Sequence, residues 1–123
     1  MPMKNKQVEK FVAQVKGTRF WTFRQNNSGG SFDQNETVST FVIMEALDAD
    51  DANCRAREIG IYFNGVEDGI DCDCCGDRWY PAYGEGSKNP EVYGKLLEKH
   101  KQDVVGGNTI VYYIDGRKEI SLV

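Results

Sequence analysis

The chain has 123 residues, of which 40% are hydrophobic and 28% charged, with 15 basic side chains against 19 acidic ones. This length and composition predict one soluble globular domain and exclude a disordered or low-complexity chain. No apolar run approaches the roughly 20 residues of a membrane span, and the first residues lack the apolar stretch of a signal peptide.

The charge is distributed unevenly along the chain. Residues 1–35 carry six basic and two acidic side chains, whereas residues 36–77 carry two basic and eleven acidic ones. The acidic middle would repel a phosphate backbone, and no run of lysine and arginine offsets it. We therefore expect neither duplex nucleic acid nor a membrane among the partners.

The N-terminal part of the sequence predicts a helix followed by a hairpin. A stripe of apolar residues at helical spacing predicts a short N-terminal helical extension over residues 1–17. The aromatic run at 19–25 and the apolar run at 37–46 predict two paired strands. The second of these is apolar on both faces, which is typical of a central strand.

The middle of the sequence predicts a helix and then a long loop. Asp48 is suited to cap a helix that runs to about Glu58, and the small residues Ala52 and Ala56 would let that helix lie close on the sheet. Residues 64–90 contain seven Gly or Pro residues together with several aromatic residues, and we interpret them as a long ordered loop.

The last third predicts a further helix and a second hairpin. Asn89-Pro90 has the residue types of an N-cap and a first helical position, so we expect a helix there with Val92 facing the core. Asp115-Gly116 lies between two β-rich runs and predicts a tight hairpin turn. The sum is an α+β fold, a small antiparallel sheet with helices packed on one face, in a single domain over residues 1–123.

Three of the four cysteines fall within four positions, in the sequence DCDCCGD at residues 71–77. Cys72 and Cys75 form a C-x-x-C followed by glycine, the spacing of a zinc knuckle, and Cys74 could add a third sulfur. A tetrahedral site needs a fourth ligand, which Cys54, His100, a nearby aspartate or a second subunit would have to supply. Zinc is the cofactor that this spacing favours.

Two other interpretations of these cysteines stay open. A C-x-x-C can be a redox pair, although Gly76-Asp77 after it is a poor start for the helix that such sites use. The alternative that needs no ligand is a set of reduced, buried thiols that fill a tight turn, which is common for cysteines in a reducing compartment.

A second candidate site is the glycine-rich turn after the first strand, whose consecutive N–H groups could cradle a small anion such as a nucleotide phosphate. Its residues are Arg24, Asn26, Asn27, Ser28, Gly29 and Gly30. The turn lacks the Lys-Ser/Thr ending of a P-loop, and a plain connection between two strands explains the same residues without a ligand.

A third candidate site is the aromatic segment within the long loop, which contributes Arg78, Trp79, Tyr80 and Tyr83. Tyrosine and tryptophan offer a large contact area and are enriched where proteins bind one another. The same rings could instead cover the core of a small sheet. No catalytic motif accompanies these segments, and His100 lies in a charged run typical of a solvated helix face.

Three phrases of the sequence stand out together: FWTFRQNNSGGSF at 20–32, EALDADDANCRAREIGIYFNGV at 45–66 and DCDCCGDRWYPAYGEG at 71–86. In this order they resemble a family of small uncharacterised proteins of tailed bacteriophages and their bacterial hosts. The resemblance implies expression in the cytoplasm of an infected bacterium and an accessory role, in which the protein modulates host processes or counters defence. It carries no catalytic residue to this chain.

The function expected from these observations is non-enzymatic binding of a host or phage protein through the Cys and aromatic segments. One alternative is capture of a nucleotide or another small anionic ligand at the turn of residues 24–30, by a sponge or a nucleotide-dependent enzyme. Another is a virion or assembly component. The sequence leaves the oligomeric state open.

Overall fold

The computed structural model describes residues 17–26, 31–92, 95–96 and 108–121. Residues 1–16, where the N-terminal helix is predicted, lie outside this range. The elements in chain order are β1 (Arg19–Arg24), β2 (Phe41–Ala46), α1 (Ala49–Glu58), β3 (Glu91–Val92), β4 (Lys95–Leu96), β5 (Thr109–Tyr112) and β6 (Lys118–Ser121).

Four strands form one sheet in the order β1-β2-β5-β6. β1 pairs antiparallel with β2, and β5 pairs antiparallel with β6, as the sequence predicts. β2 and β5 differ from the expected antiparallel arrangement because they run parallel. A parallel pair needs a long crossover, and α1 with the long loop provides it. The α+β fold class is confirmed.

β2 is the central strand and has buried side chains on both faces of the sheet. On one face, Val42 and Met44 join the larger hydrophobic cluster, which also contains the buried alanines of α1. On the other face, Phe41 and Ile43 form a smaller cluster with residues of β3 and β5. The continuous apolar run that predicted a central strand therefore supplies both halves of the core.

The helix α1 begins as the sequence predicts. The Asp48 carboxylate accepts a hydrogen bond from the N–H of Asp51 at 2.7 Å, which satisfies one of the free donors of the first turn. Ala52 and Ala56 are 0% exposed and face the sheet. Small side chains at these two positions allow the helix to pack closely against β2.

β3 and β4 pair antiparallel in the segment where the sequence predicts a helix. Val92 is fully buried in the smaller cluster, and the Thr22 hydroxyl donates to the carbonyl oxygen of Glu91 at 2.5 Å. Contacts with β1 and β2 thus fix this segment in an extended form and override the local signal of Asn89-Pro90. Gly94, between the two short strands, also disfavours a helix.

We predict that Ala56→Leu lowers the free energy of unfolding by about 1–3 kcal/mol, because the larger side chain has no space between α1 and β2. The control is Cys54→Leu, at an exposed position of the same helix, which should change that free energy by less than about 0.5 kcal/mol. Urea denaturation followed by circular dichroism measures both. Equal destabilisation by the two substitutions would contradict this description of the helix.

Candidate functional site

The end of β1 meets the long loop at a buried polar network centred on Gln25, which is 0% exposed. Its side-chain amide donates to the carbonyl oxygens of Asp33 and Ser39, each at 3.0 Å. Its Oε1 accepts from the N–H of Asp33 and from Nη1 of Arg78, the latter at 2.8 Å. Both donors and both lone pairs of the amide are therefore used.

Arg78 is 9% exposed, and its guanidinium joins three segments of the chain. Nη1 also donates to the carbonyl oxygen of Ser31 at 2.8 Å, while Nε lies 3.4 Å from the Asp33 carboxylate and 3.8 Å from that of Asp71. Asp71 in turn accepts from the N–H of Arg78 at 2.8 Å. Arg78, predicted as a contact residue, is thus a structural residue, because its charge is neutralised inside the protein.

The Asp71 carboxylate is 2% exposed and lies directly above Gly65. A Cβ at Gly65 would lie 1.8 Å from Oδ2 of Asp71, so only glycine leaves room for the carboxylate. The Tyr62 hydroxyl donates to Asp71 at 2.7 Å. Burial raises the pKa of Tyr62, and this hydrogen bond raises it further. The residue before the cysteines is therefore firmly anchored.

The Cys72–Cys75 segment is a tight turn that is held at its far end by Asn26. The N–H groups of Cys75 and Gly76 donate to the carbonyl oxygen of Cys72 at 3.2 and 3.1 Å. Gly76 has a φ of 86°, which favours glycine. Nδ2 of Asn26 donates to the carbonyl oxygens of Cys75 and Asp77 at 2.8 and 3.2 Å. Asn26 was predicted for an anion-binding turn, and its amide group is instead occupied here.

The three thiols of this turn form a cluster at the surface, which we call the Cys cluster (Cys72, Cys74 and Cys75). Their sulfur atoms all lie within 4.8 Å of one another, and this group could hold a metal ion. The Sγ atoms of Cys74 and Cys75 are 3.6 Å apart, and those of Cys72 and Cys74 are 2.6 Å apart. All three residues are exposed, so the alternative of buried thiols that fill a turn is wrong.

The thiols of the Cys cluster change each other's proton affinity. The hydrogen bond from the Cys74 thiol lowers the pKa of Cys72, and the backbone N–H of Cys74 lowers it further. The same contact raises the pKa of Cys74 to about 11. Cys72 is consequently the first of this pair to become a thiolate as the pH rises.

Within the described residues, the Cys cluster offers three ligands and no fourth. No further histidine, cysteine or carboxylate joins the group. Asp73, between Cys72 and Cys74, is not part of that group. The carboxylates on either side bond other groups, since Asp71 bonds Tyr62 and Arg78, and Asp77 accepts from the N–H of Val66 at 2.9 Å. His100, which was considered as a ligand, lies outside the described residues.

A groove of about 680 Å³ runs along the outer edge of β1. Residues 78–87 arch beside this edge and are joined to it at both ends, and we call them the β1 arch. At one end the N–H of Asn26 donates to the carbonyl oxygen of Arg78 at 2.8 Å. At the other end Phe20 and Ser87 exchange two backbone hydrogen bonds of 2.8 Å. The groove occupies the space between these two attachments.

The β1 arch separates its aromatic residues into one that is buried and two that are exposed. Asn53 of α1 bonds the backbone of Ala82 through both its donor and its acceptor, at 3.1 and 2.7 Å. This anchor holds the arch against the helix. Trp79 is 1% exposed and belongs to the core, whereas Tyr80 and Tyr83 are 57% and 89% exposed and line the groove. The expectation that Trp79 forms part of a contact surface is therefore corrected.

The predicted anion-binding turn is described only in part. Arg24 lines the groove beside β1, and Asn26 holds the Cys turn. Asn27, Ser28, Gly29 and Gly30 lie outside the described residues. Sequence reasoning missed Gln25, which follows the alternating pattern of β1 and carries no motif that signals its burial.

A sequence model described as "Domain of unknown function (DUF7296)" matches residues 18–121. The chain belongs to this family. The expected membership of an uncharacterised family is confirmed, while a phage origin stays a prediction. The DUF7296 match includes the whole sheet, the Cys cluster and the β1 arch. No curated protein and no solved structure matches the chain. Among the described residues, no helix has the length and apolar character needed to cross a membrane.

We predict that Arg78→Ala lowers the free energy of unfolding by about 3–5 kcal/mol, because it leaves the buried Asp71 carboxylate without its counter-charge. The matched control is Arg117→Ala. That arginine side chain is 70% exposed and pairs with Asp115 across a hairpin turn. Its removal should change the free energy by about 1 kcal/mol or less. Chemical denaturation of both variants is the measurement, and comparable losses would contradict a structural role specific to Arg78.

We predict that Cys72 reacts before Cys74 when the reduced, metal-free domain is treated with iodoacetamide near pH 8. The thiolate is the reactive form, and the lowered pKa of Cys72 increases its thiolate fraction, whereas Cys74 with a pKa of about 11 stays protonated. Peptide mass spectrometry after short reaction times gives the order. Faster modification of Cys74 than of Cys72 would contradict the assignment of Cys74 as the donor in the hydrogen bond between the two thiols.

Proposed function

We propose that this DUF7296 protein is a phage accessory protein that acts in the cytoplasm of an infected bacterium by binding a host or phage protein. The three sequence phrases that resemble phage proteins support the biological setting. One observation carries the binding function: Tyr80 and Tyr83 stand 57% and 89% exposed on the wall of the β1 groove. Exposed aromatic side chains are enriched at protein interfaces, where their burial contributes much of the affinity.

The backbone of β1 supports an extended peptide as the bound element. Phe20 directs its N–H and C=O outward to Ser87. Because the direction of the backbone N–H and C=O groups alternates from residue to residue along a strand, the N–H and C=O of Thr22 also point outward, into the groove. No described residue bonds the backbone of Thr22 on that side. A peptide strand added at this position would pair with β1 and lie beside the two tyrosines, as in recognition by strand addition.

The sheet has a second edge on the side opposite to β1. β6 is the other edge strand and begins with the exposed charged residues Lys118 and Glu119. β1 also has an exposed charged residue at each end, Arg19 and Arg24, so charge does not separate the two edges. The exposed Tyr80 and Tyr83 line the groove beside β1, and they favour this edge as the side where a partner strand binds.

Zinc is the cofactor that we propose for this surface. The Cys cluster supplies three sulfur ligands, which zinc binds well, and it lies beside the β1 arch. The anion-binding alternative has less support, because the Asn26 side-chain amide donates hydrogen bonds within the protein, to the carbonyl oxygens of Cys75 and Asp77.

We predict that the double substitution Tyr80→Ala and Tyr83→Ala abolishes partner binding and leaves the melting temperature unchanged, because both rings are exposed. The tagged full-length protein is used to capture proteins from infected cells, and quantitative mass spectrometry compares the variants. The control is Ile120→Ala, since Ile120 is 55% exposed on β6, away from the groove. This variant should retain the captured partner.

Two results would contradict the proposed function. One is capture of the same partner by the double tyrosine variant at wild-type level. The other is nucleotide binding as the main activity, which would appear as thermal stabilisation by a nucleotide. A ligand present at a hundred times its Kd stabilises a protein by about 2.7 kcal/mol, so a panel of nucleotides would reveal it.

A further inference from the structure

The Cys cluster is held in place by contacts that do not involve its sulfur atoms. The buried Asp71 carboxylate fixes the chain before the turn, and the Asn26 side chain fixes the two carbonyl groups after it. The turn itself is closed by hydrogen bonds between backbone groups. The three sulfurs are therefore brought together by the fold and are exposed to solvent before any ion is bound.

Two of the three sulfurs already have the spacing of a tetrahedral thiolate site. Two thiolates at about 2.3 Å from a zinc ion in tetrahedral geometry are separated by about 3.8 Å. The Sγ atoms of Cys74 and Cys75 are 3.6 Å apart. The sulfur of Cys72 is 2.6 Å from that of Cys74 and would have to move away by about 1 Å, through a rotation of its exposed side chain.

Such a site leaves one of the four zinc positions open within the described residues. Structural zinc sites are closed by four protein ligands, whereas sites that react with an external group keep one position free. Asp71 and Asp77, which flank the cluster, bond groups of the protein, and Asp73 within the segment is not part of the group of converging ligand atoms. The open position is thus available to a ligand from outside the domain.

The Cys cluster is continuous with the surface proposed for the partner. A Cβ on Gly76 would lie 3.2 Å from the Tyr80 hydroxyl and 3.9 Å from Nδ2 of Asn26. Tyr80 and Asn26 both line the β1 groove. The turn that carries the cysteines therefore adjoins two residues that line the groove.

We propose that Cys72, Cys74 and Cys75 bind zinc and that a cysteine or histidine side chain of the bound partner occupies the fourth position. This inference rests on the proposed binding function and adds the chemistry of the partner. Each cysteine enters as a thiolate, so binding of the ion releases the protons of the thiols to solvent. The partner would then be recognised by its extended backbone and by one zinc ligand.

Cobalt(II) is the probe that tests this site, because its visible absorption reports the number and type of ligands. The reduced full-length protein is titrated with cobalt(II), and imidazole or mercaptoethanol is then added in place of the partner side chain. We expect one equivalent of cobalt with a three-thiolate spectrum, and a change in that spectrum with either added ligand. Native mass spectrometry should show one ion per monomer.

Four variants make the test specific. The triple variant C72S/C74S/C75S should lose the cobalt spectrum while keeping its melting temperature, since the turn is held by Asn26 and Asp71. Cys74→Ser alone serves the same purpose if the triple variant does not fold. His100→Ala and Cys54→Ser should match the wild type both before and after imidazole is added.

Several outcomes would overturn the proposal: cobalt binding no stronger than that of the triple serine variant, a spectrum that does not respond to either added ligand, loss of a ligand in His100→Ala or Cys54→Ser, or one ion shared by a dimer. In each of these cases the partner-binding function can still hold, because it is read out by the tyrosine variants. Conversely, the cobalt site could have an open position while the tyrosine variants capture the partner at wild-type level. This result would contradict the proposed binding surface but not the metal site.

Discussion

A guanidinium withdrawn from water must have its charge neutralised by nearby carboxylates and polar oxygens, and this requirement at Arg78 organises the loop side of the domain. Its partners come from three separate segments: Gln25 at the end of β1, Ser31 and Asp33 in the connection to β2, and Asp71 before the Cys cluster. Removing any of these segments would leave a buried charge or amide without partners. The β1 arch starts at Arg78, so the position of the groove also depends on this contact.

The regular elements could be predicted from the sequence where their signals are local. The apolar run of β2, the cap at Asp48 and the turn at Asp115-Gly116 each lie within a few residues of the structure that they specify. The parallel pairing of β2 with β5 and the antiparallel pairing of β3 with β4 depend on residues far apart in the chain. Val92 is extended because it packs on Phe41 and Ile43, and no local pattern around Asn89-Pro90 contains that information.

The residues of the candidate site also differ in whether the sequence could predict their roles. The Cys cluster was predictable, because three cysteines within four positions followed by glycine are typical of a turn that can direct several sulfurs to one ion. The roles of Gln25 and Arg78 were not, since both residue types are usually exposed and only their mutual contacts make burial favourable. Trp79 and Tyr80 are adjacent aromatic residues, and the sequence does not indicate which of them is buried. In the structure Trp79 packs in the larger hydrophobic cluster, and Asn53 holds the arch against α1 through the backbone of Ala82.

The distance along the chain between Gln25 and Arg78 has a consequence for synthesis of the protein. The two residues are 53 positions apart, so a ribosome that adds about 5–20 residues per second needs about 3–10 s to pass from one to the other. During this interval β1 and β2 can pair, but the buried amide has no guanidinium and the inner face formed by Trp21 and Phe23 has no loop to cover it. The nascent chain is therefore most exposed to aggregation and to chaperones before the second half of the domain has been translated.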